Sequence, residues 1–183
     1  GGSDWITFYV RDIATGRNTA DTIRWVKFSG PSWTRDGKGF FYSRYAQPPA
    51  GEQIKFKLEN QTLYYHRMGT PQSQDVKIYA RPDHPTWYIF AGVDENGRYL
   101  YVNTSAGTDK NELYIADLGD AMKPNVTAPI RPVVTGLDAN YYALGVANNR
   151  LYLQVDKNAP NRKIVAVPVN TPEPANWVTI IPE

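Results

Sequence analysis

Cysteine is absent from the 183 residues, and histidine occurs only as His66 and His84. The first absence excludes a disulfide framework, a thiol nucleophile and a thiolate metal site; the second leaves too few imidazoles for a multi-histidine zinc centre. Long apolar runs are missing as well. Hydrophobic and polar residues interleave throughout, and no stretch approaches the roughly 20 residues of a membrane-spanning helix, so no membrane partner is expected. Charge of one sign is missing too: 20 Lys and Arg stand against 18 Asp and Glu, scattered rather than blocked, for a net charge of +2. Such a surface offers nucleic acid no basic stripe. At the N-terminus there is no basic region followed by an apolar core, hence no visible secretory signal. Asp4–Val10 enters a strand pattern at once, so the sequence reads as one that starts partway through a sheet.

What is present is aromatic and turn-rich. Thirteen Tyr, five Trp and six Phe sit in short stretches bounded by Gly, Pro, Asn and Asp, the composition of strands joined by tight turns. No stretch of a dozen residues keeps a 3.6-residue period; the nearest, Asn111–Met122, breaks at Gly119 and reads as a strand followed by a loop. The fold class is all-β.

The strands repeat. Three turn-plus-strand units superimpose: Trp33-Thr34-Arg35-Asp36-Gly37-Lys38-Gly39-Phe40-Phe41-Tyr42, Val93-Asp94-Glu95-Asn96-Gly97-Arg98-Tyr99-Leu100-Tyr101-Val102, and Ala147-Asn148-Asn149-Arg150-Leu151-Tyr152-Leu153. Asp-Gly, Asn-Gly and Asn-Asn favour the positive φ angles of two-residue turns. Third strands follow at Leu63–His66, Leu113–Asp117 and Ile164–Val167. Short, proline-flanked fourth strands follow at Val76–Tyr79, Pro132–Val134 and Trp177–Ile181. Ile6–Asp12 and Ile23–Phe28 read as the last two strands of an earlier blade. A period of about 50 residues signals a propeller. The expected architecture is a partial β-propeller of about three and a half four-stranded antiparallel blades: a half blade over 1–29 and blades over 30–80, 81–135 and 136–183. Fourteen strands result, in an arc rather than the closed ring of about four to eight blades that propellers form. Pro48 to Asn60 reads as an inserted loop.

The ordered motifs are more specific than the repeat. Val26-Lys27-Phe28-Ser29, Trp33, Asp36–Tyr45, Leu63–Asp75 and Arg81-Pro82-Asp83-His84-Pro85 leading into Trp87 resemble the propeller of the prolyl oligopeptidase family of serine peptidases. The opening Gly2-Ser3-Asp4-Trp5 resembles a loop between second and third strands of a blade in that family. The likeness runs from Gly2 to about Pro182 and is strongest up to Leu113-Tyr114-Ile115.

The resemblance implies part of a seven-bladed propeller capping an α/β-hydrolase domain, in an enzyme that cleaves short peptides after proline. That hydrolase domain of the same parent chain, and short proline-containing peptides, are the partners it implies; no cofactor and no metal is implied. The compartment would be the cytoplasm or, in bacteria, the periplasm. No Gly-x-Ser-x-Gly elbow occurs, so the segment has no catalytic residues of its own and lacks the triad. Its role would be gating and substrate lining. The family's pocket phenylalanine falls on Phe28, two further pocket positions fall on Tyr88 and Thr108, and Asp4 matches an aspartate that touches the catalytic domain near an arginine, a charge-assisted contact.

Plainer readings stand beside these. As a strand aromatic Phe28 serves blade-to-blade packing, Asp4 caps a turn, and Tyr88 and Thr108 are structural or solvated. His66 and His84 read as ordinary surface histidines, and Trp33, Trp87 and Trp177 as fillers between blades. Asn60, Asn103 and Asn125 begin Asn-x-Ser/Thr triplets of the kind chance supplies. An alternative function is a non-catalytic binding or scaffold module whose partial propeller closes by self-association. A ligand site in a propeller channel rests on architecture alone.

Overall fold

A computed structural model describes residues 4–183. The chain forms two compact units, one up to Ala91 and one from Gly92 to Glu183. Fourteen strands are formed among the described residues, with only single 3-10 turns at Gln72–Gln74 and Pro174–Asn176 besides. Among them no helix is long and apolar enough to cross a membrane.

In the first unit β1 (Ile6–Arg11), β2 (Asn18–Val26), β4 (Gly39–Arg44), β5 (Thr62–Arg67) and β6 (Val76–Ala80) follow one another in a single sheet, and β3 (Ser32–Trp33) pairs with β4. The β4–β5 ladder is regular, with Phe40 opposite His66 and Tyr42 opposite Tyr64. Phe40, Phe41, Tyr42 and Leu63 are fully buried. These aromatic stretches give the sheet its core because each ring buries a large area. Ile23 and Val26 of β2 join Phe40 and Tyr42 in one cluster.

Strand β2 departs from the sequence reading. It ends at Val26, two residues before the expected end at Phe28, and its register with β1 shifts between Ile6/Val26 and Phe8/Ile23. The irregularity coincides with Trp25 in a left-handed conformation, φ +63°. Beyond it β2 gains a second partner: Val26, opposite Ile6 on one side, pairs with Arg44 of β4 on the other, and the Trp25 carbonyl accepts from the Tyr45 amide at 3.1 Å. A bulge of this kind re-aims a strand, which lets the end of β2 reach β4 while it still pairs with β1.

The second unit takes up the end of β7 (Tyr88–Val93), followed by β8 (Tyr99–Ser105), β9 (Glu112–Asp117) and β10 (Arg131–Val134), in the order β10-β9-β8-β7. A further sheet runs β11 (Tyr141–Ala147), β12 (Arg150–Val155), β13 (Lys163–Pro168) and β14 (Val178–Ile181). Both are antiparallel four-stranded meanders wherever their register is defined. Tyr99, Tyr101, Leu113 and Ile115 from one sheet share a core with Tyr141, Leu151, Leu153 and Val165 from the other. Trp177 packs edge-on against Tyr141, ring centres 5.8 Å apart. It precedes the last strand rather than beginning it.

The three hairpins differ in their turns. Asn148 and Asn149 form the expected two-residue loop, φ +49° and +60°, between paired Ala147 and Arg150. The other two are wider. Thr34 donates to Gly39 and Asp94 to Tyr99 through the backbone, while Gly37 and Gly97 donate back to Thr34 and Asp94. Only the glycine in each has positive φ. These are type I turns closed by a left-handed glycine, favoured because four-residue loops with one such glycine strain no other residue.

Candidate functional site

Three of the four residues singled out from the sequence, Asp4, Phe28 and Tyr88, converge in the first unit. Phe28 lies just past the end of β2 and Tyr88 opens β7, sixty positions later. Gln61 joins them. Its side-chain amide donates to the Lys27 carbonyl at 3.0 Å and accepts from the Ile89 amide at 2.6 Å. Gln61 is buried, so these bonds are made away from water. Each lies one residue from an aromatic, and the Phe28 and Tyr88 rings meet edge to face, 5.6 Å apart at 89°. That geometry sets the positive ring edge of one against the negative face of the other. Phe28 is 41% exposed and adopts φ +53°. A bulky side chain in that region is costly, and such outliers cluster at functional positions.

Lys27 completes the group. Its Nζ lies 5.5 Å from the centre of the Phe28 ring, 5.3 Å from that of Trp5, and 3.7 Å from Asp4 Oδ2. The Lys27 side chain is only 13% exposed, whereas that of Asp4 is 72% exposed. Asp4 therefore presents a carboxylate to solvent beside a largely buried lysine side chain. Trp5 anchors this end: its indole donates to the Gln53 carbonyl at 3.0 Å, and its ring meets Trp25, Tyr45 and Phe56 at about 6 Å. Burial, with Tyr88 adding to it, pushes the Tyr45 phenol up to about 12, so this aromatic floor is neutral. Gly2 and Ser3 of the opening motif lie outside the described residues.

Thr108 belongs to the second unit, in the exposed loop between β8 and β9. The loop is shaped by Ser105, whose hydroxyl donates to the Lys110 carbonyl at 2.7 Å, and by Asn140, which donates to the Asp109 carbonyl at 2.6 Å.

His66 corrects a sequence reading. It is not a surface histidine but fully buried on β5, with Nδ1 2.7 Å from Asp75 Oδ1 and Nε2 3.0 Å from Asp21 Oδ1. Tyr42 donates to the other oxygen of Asp75 at 2.6 Å, and the Gly69 amide donates to Asp21 at 2.6 Å. Thr19 donates to Asp21 as well, at 2.6 Å. A Tyr-Tyr-His stretch in a strand signals alternation, but not which carboxylates face it from 45 and nine positions away. Gln72 extends the network at the β2 bulge, accepting from the Arg24 amide and donating to its carbonyl, both at 3.0 Å. It thereby supplies the ladder bonds that the bulge denies Arg24. The His66 and Asp75 side chains are wholly out of solvent, so no substrate reaches them and the cluster serves the sheet.

His84 is partly exposed as expected, and its ring stacks on Trp87 with centres 3.9 Å apart at 7°. The Arg81 guanidinium also lies over Trp87, 4.7 Å from its ring centre. Trp33 is 41% exposed and leans on Phe40. The contributions of Lys27 and Gln61 went unread in the sequence. Lys27 carries a signal in hindsight, standing between a strand end and a candidate pocket residue.

The entire chain, residues 1–183, matches the family described as the prolyl oligopeptidase N-terminal beta-propeller domain. Among curated relatives it is 38% identical to a prolyl endopeptidase of Elizabethkingia miricola and 39% identical to that of Elizabethkingia meningoseptica; each alignment covers all of this chain and 25% of the relative. Among solved structures, one from a study of two prolyl endopeptidases aligns with a TM-score of 0.86 at 33% identity, over 100% of this chain and 25% of that one. Prolyl oligopeptidase B from Galerina marginata, bound to a 35-residue substrate, aligns with a TM-score of 0.84 at 30% identity, over 100% and 26%. The chain thus spans about a quarter of the length of the relatives it matches.

Proposed function

The chain belongs to the prolyl oligopeptidase family, as part of its N-terminal β-propeller domain, and from that premise we propose that it gates and lines the substrate cavity of a serine endopeptidase that cleaves short peptides after proline. The nucleophile, base and oxyanion hole would come from an α/β-hydrolase domain of the same parent chain, since no Gly-x-Ser-x-Gly elbow occurs in this segment. The blades run over 30–80, 81–135 and 136–183, after a half blade over 1–29. The work belongs in the cytoplasm or periplasm.

The observation that carries the reading is the convergence of Asp4, Phe28 and Tyr88 around Lys27. An aromatic pair whose exposed member, Phe28, is held at a strained backbone offers an apolar wall to a peptide side chain, and a solvent-facing carboxylate nearby offers an anchor for an arginine of the catalytic domain. For Thr108 the pocket-lining reading rests on the family resemblance alone.

The test is made in the full-length parent enzyme. Phe28→Ala removes a wall that a bound peptide would touch, and kcat/KM for a short proline-containing peptide should fall about 10- to 100-fold, the worth of a large apolar contact. Asp4→Asn should lower it as well. Unchanged kcat/KM in both variants would overturn the assignment of this cluster to the substrate cavity.

A further inference from the structure

We infer that Lys27 sets a charge preference at the aromatic wall, favouring peptides that bring a carboxylate, and disfavouring those that bring a basic side chain, beside Phe28 and Tyr88. The inference rests on the substrate-cavity reading of this cluster and adds to it a specificity-determining residue.

The argument is one of placement and incomplete neutralisation. Lys27 Nζ stands 5.5 Å from the centre of the Phe28 ring, and Phe28 meets Tyr88 edge to face at 5.6 Å, so a side chain resting on that pair comes within several ångströms of the ammonium. Lys27 is held there from several sides. Its carbonyl accepts from buried Gln61, its ammonium lies over Trp5 and Phe28, and its stem is largely covered. It cannot retreat into solvent as an ordinary surface lysine does. Asp4 neutralises it only in part. The pair is 3.7 Å apart, beyond hydrogen-bond length, and the Asp4 side chain is 72% exposed, so water screens the carboxylate far more than the half-sunken ammonium. A net positive field remains at the wall.

The geometry therefore assigns opposite signs to two substitutions. Lys27→Met keeps the unbranched stem and removes the charge; Asp4→Asn removes the partial counter-charge and should strengthen the preference. A purely structural Lys27 would not produce that opposition.

The probes are short proline-containing peptides in which Glu, Gln or Lys occupies in turn each of the three positions ahead of proline, assayed with the full-length parent enzyme. The readout is the ratio of kcat/KM for the Glu peptide to that for the Lys peptide, which cancels any general loss of activity. At one position this ratio should exceed one. It should fall about three- to tenfold in Lys27→Met, the effect of one partly screened charge at this range, return in Lys27→Arg, and rise in Asp4→Asn. It should also shrink as salt is added. A ratio that Lys27→Met leaves unchanged at all three positions, while Phe28→Ala lowers kcat/KM for every peptide, would overturn the role of Lys27 and leave the cavity reading standing. Indifference of every peptide to Phe28→Ala would overturn both.

Discussion

His66 Nδ1 lies 2.7 Å from Asp75 Oδ1, and neither side chain touches solvent. With Asp21 at 3.0 Å on the other ring nitrogen, the imidazole spans two carboxylates, one on β2 and one in the turn before β6. Both ring nitrogens and both carboxylates are thereby partnered away from water, and loss of any one of them leaves a buried polar group without its mate. Removing one partner of such a buried group is costly. His66→Ala should therefore lower stability by about 3–5 kcal/mol, and Asp75→Asn should lower it by a smaller amount, read as shifts of the urea midpoint. The two losses should fall short of additivity in the double variant, because the residues share one network. Full additivity would mean that they do not act together.

Acid should weaken the same network. Burial pushes the Asp21 carboxyl up, but hydrogen bonds from Thr19, His66 and the Gly69 amide outweigh it and hold Asp21 below its ordinary value of 3.8. A carboxyl lowered on folding adds stability that is complete above its unfolded value and is lost as pH falls through the folded one. Asp117 beside Arg98 and Asp138 beside Lys157 are lowered too, but these pairs lie at the surface and count for less. Stability should thus hold with respect to these groups down to about pH 4 and fall below it. The Asp21→Asn variant should start lower at neutral pH and lose less on acidification. Parallel acid-unfolding curves for the two proteins would contradict this.

Gly39 opens β4 where no side chain fits. A Cβ built there would collide with the His66 carbonyl and the Tyr65 hydroxyl. Backbone and a buried ring stand on that side, so neither yields easily, and overpacking of this kind costs about 1–3 kcal/mol. Gly39→Ala should lower the urea midpoint accordingly, whereas Gly30→Ala, which meets open space, should not. Equal midpoints would show that β4 and β5 can separate without loss.

Local chemistry was legible in the sequence and long-range chemistry was not. Short aromatic runs such as Phe40-Phe41-Tyr42 and Leu63-Tyr64-Tyr65, bounded by turn residues, mark strands because composition and run length are properties of neighbours, and all fourteen expected strands are formed. The Asn148-Asn149 loop was readable for the same reason. The width of the other two hairpins was not, since it depends on Thr34 and Asp94 closing the turn from outside the Asp-Gly and Asn-Gly pairs. At the candidate site, Phe28, Tyr88 and Asp4 stood out by resemblance, but what joins them did not. Gln61 reaches 34 positions back and 28 forward, and no periodicity encodes that. His66 misled because a histidine after two tyrosines gives no sign of Asp21, 45 positions away.

Phe28 offers a test in which backbone and side chain oppose each other. At φ +53° any residue with a Cβ is strained, and glycine is not. Within a strand or helix alanine is normally the more stable choice, but here the order should invert. Phe28→Ala loses the edge-to-face contact with Tyr88 and keeps the strain; Phe28→Gly loses the same contact and relieves it. The glycine variant should therefore be the more stable of the two by about 1 kcal/mol, read from urea midpoints. In the full-length parent both should lose kcat/KM alike, because both lack the ring. Such a split, with stability following the backbone and activity the ring, is the mark of a residue kept in a costly conformation for what it presents. If alanine proved the more stable, the left-handed turn at Phe28 would not survive, and with it would go the account of how the ring is aimed at Tyr88.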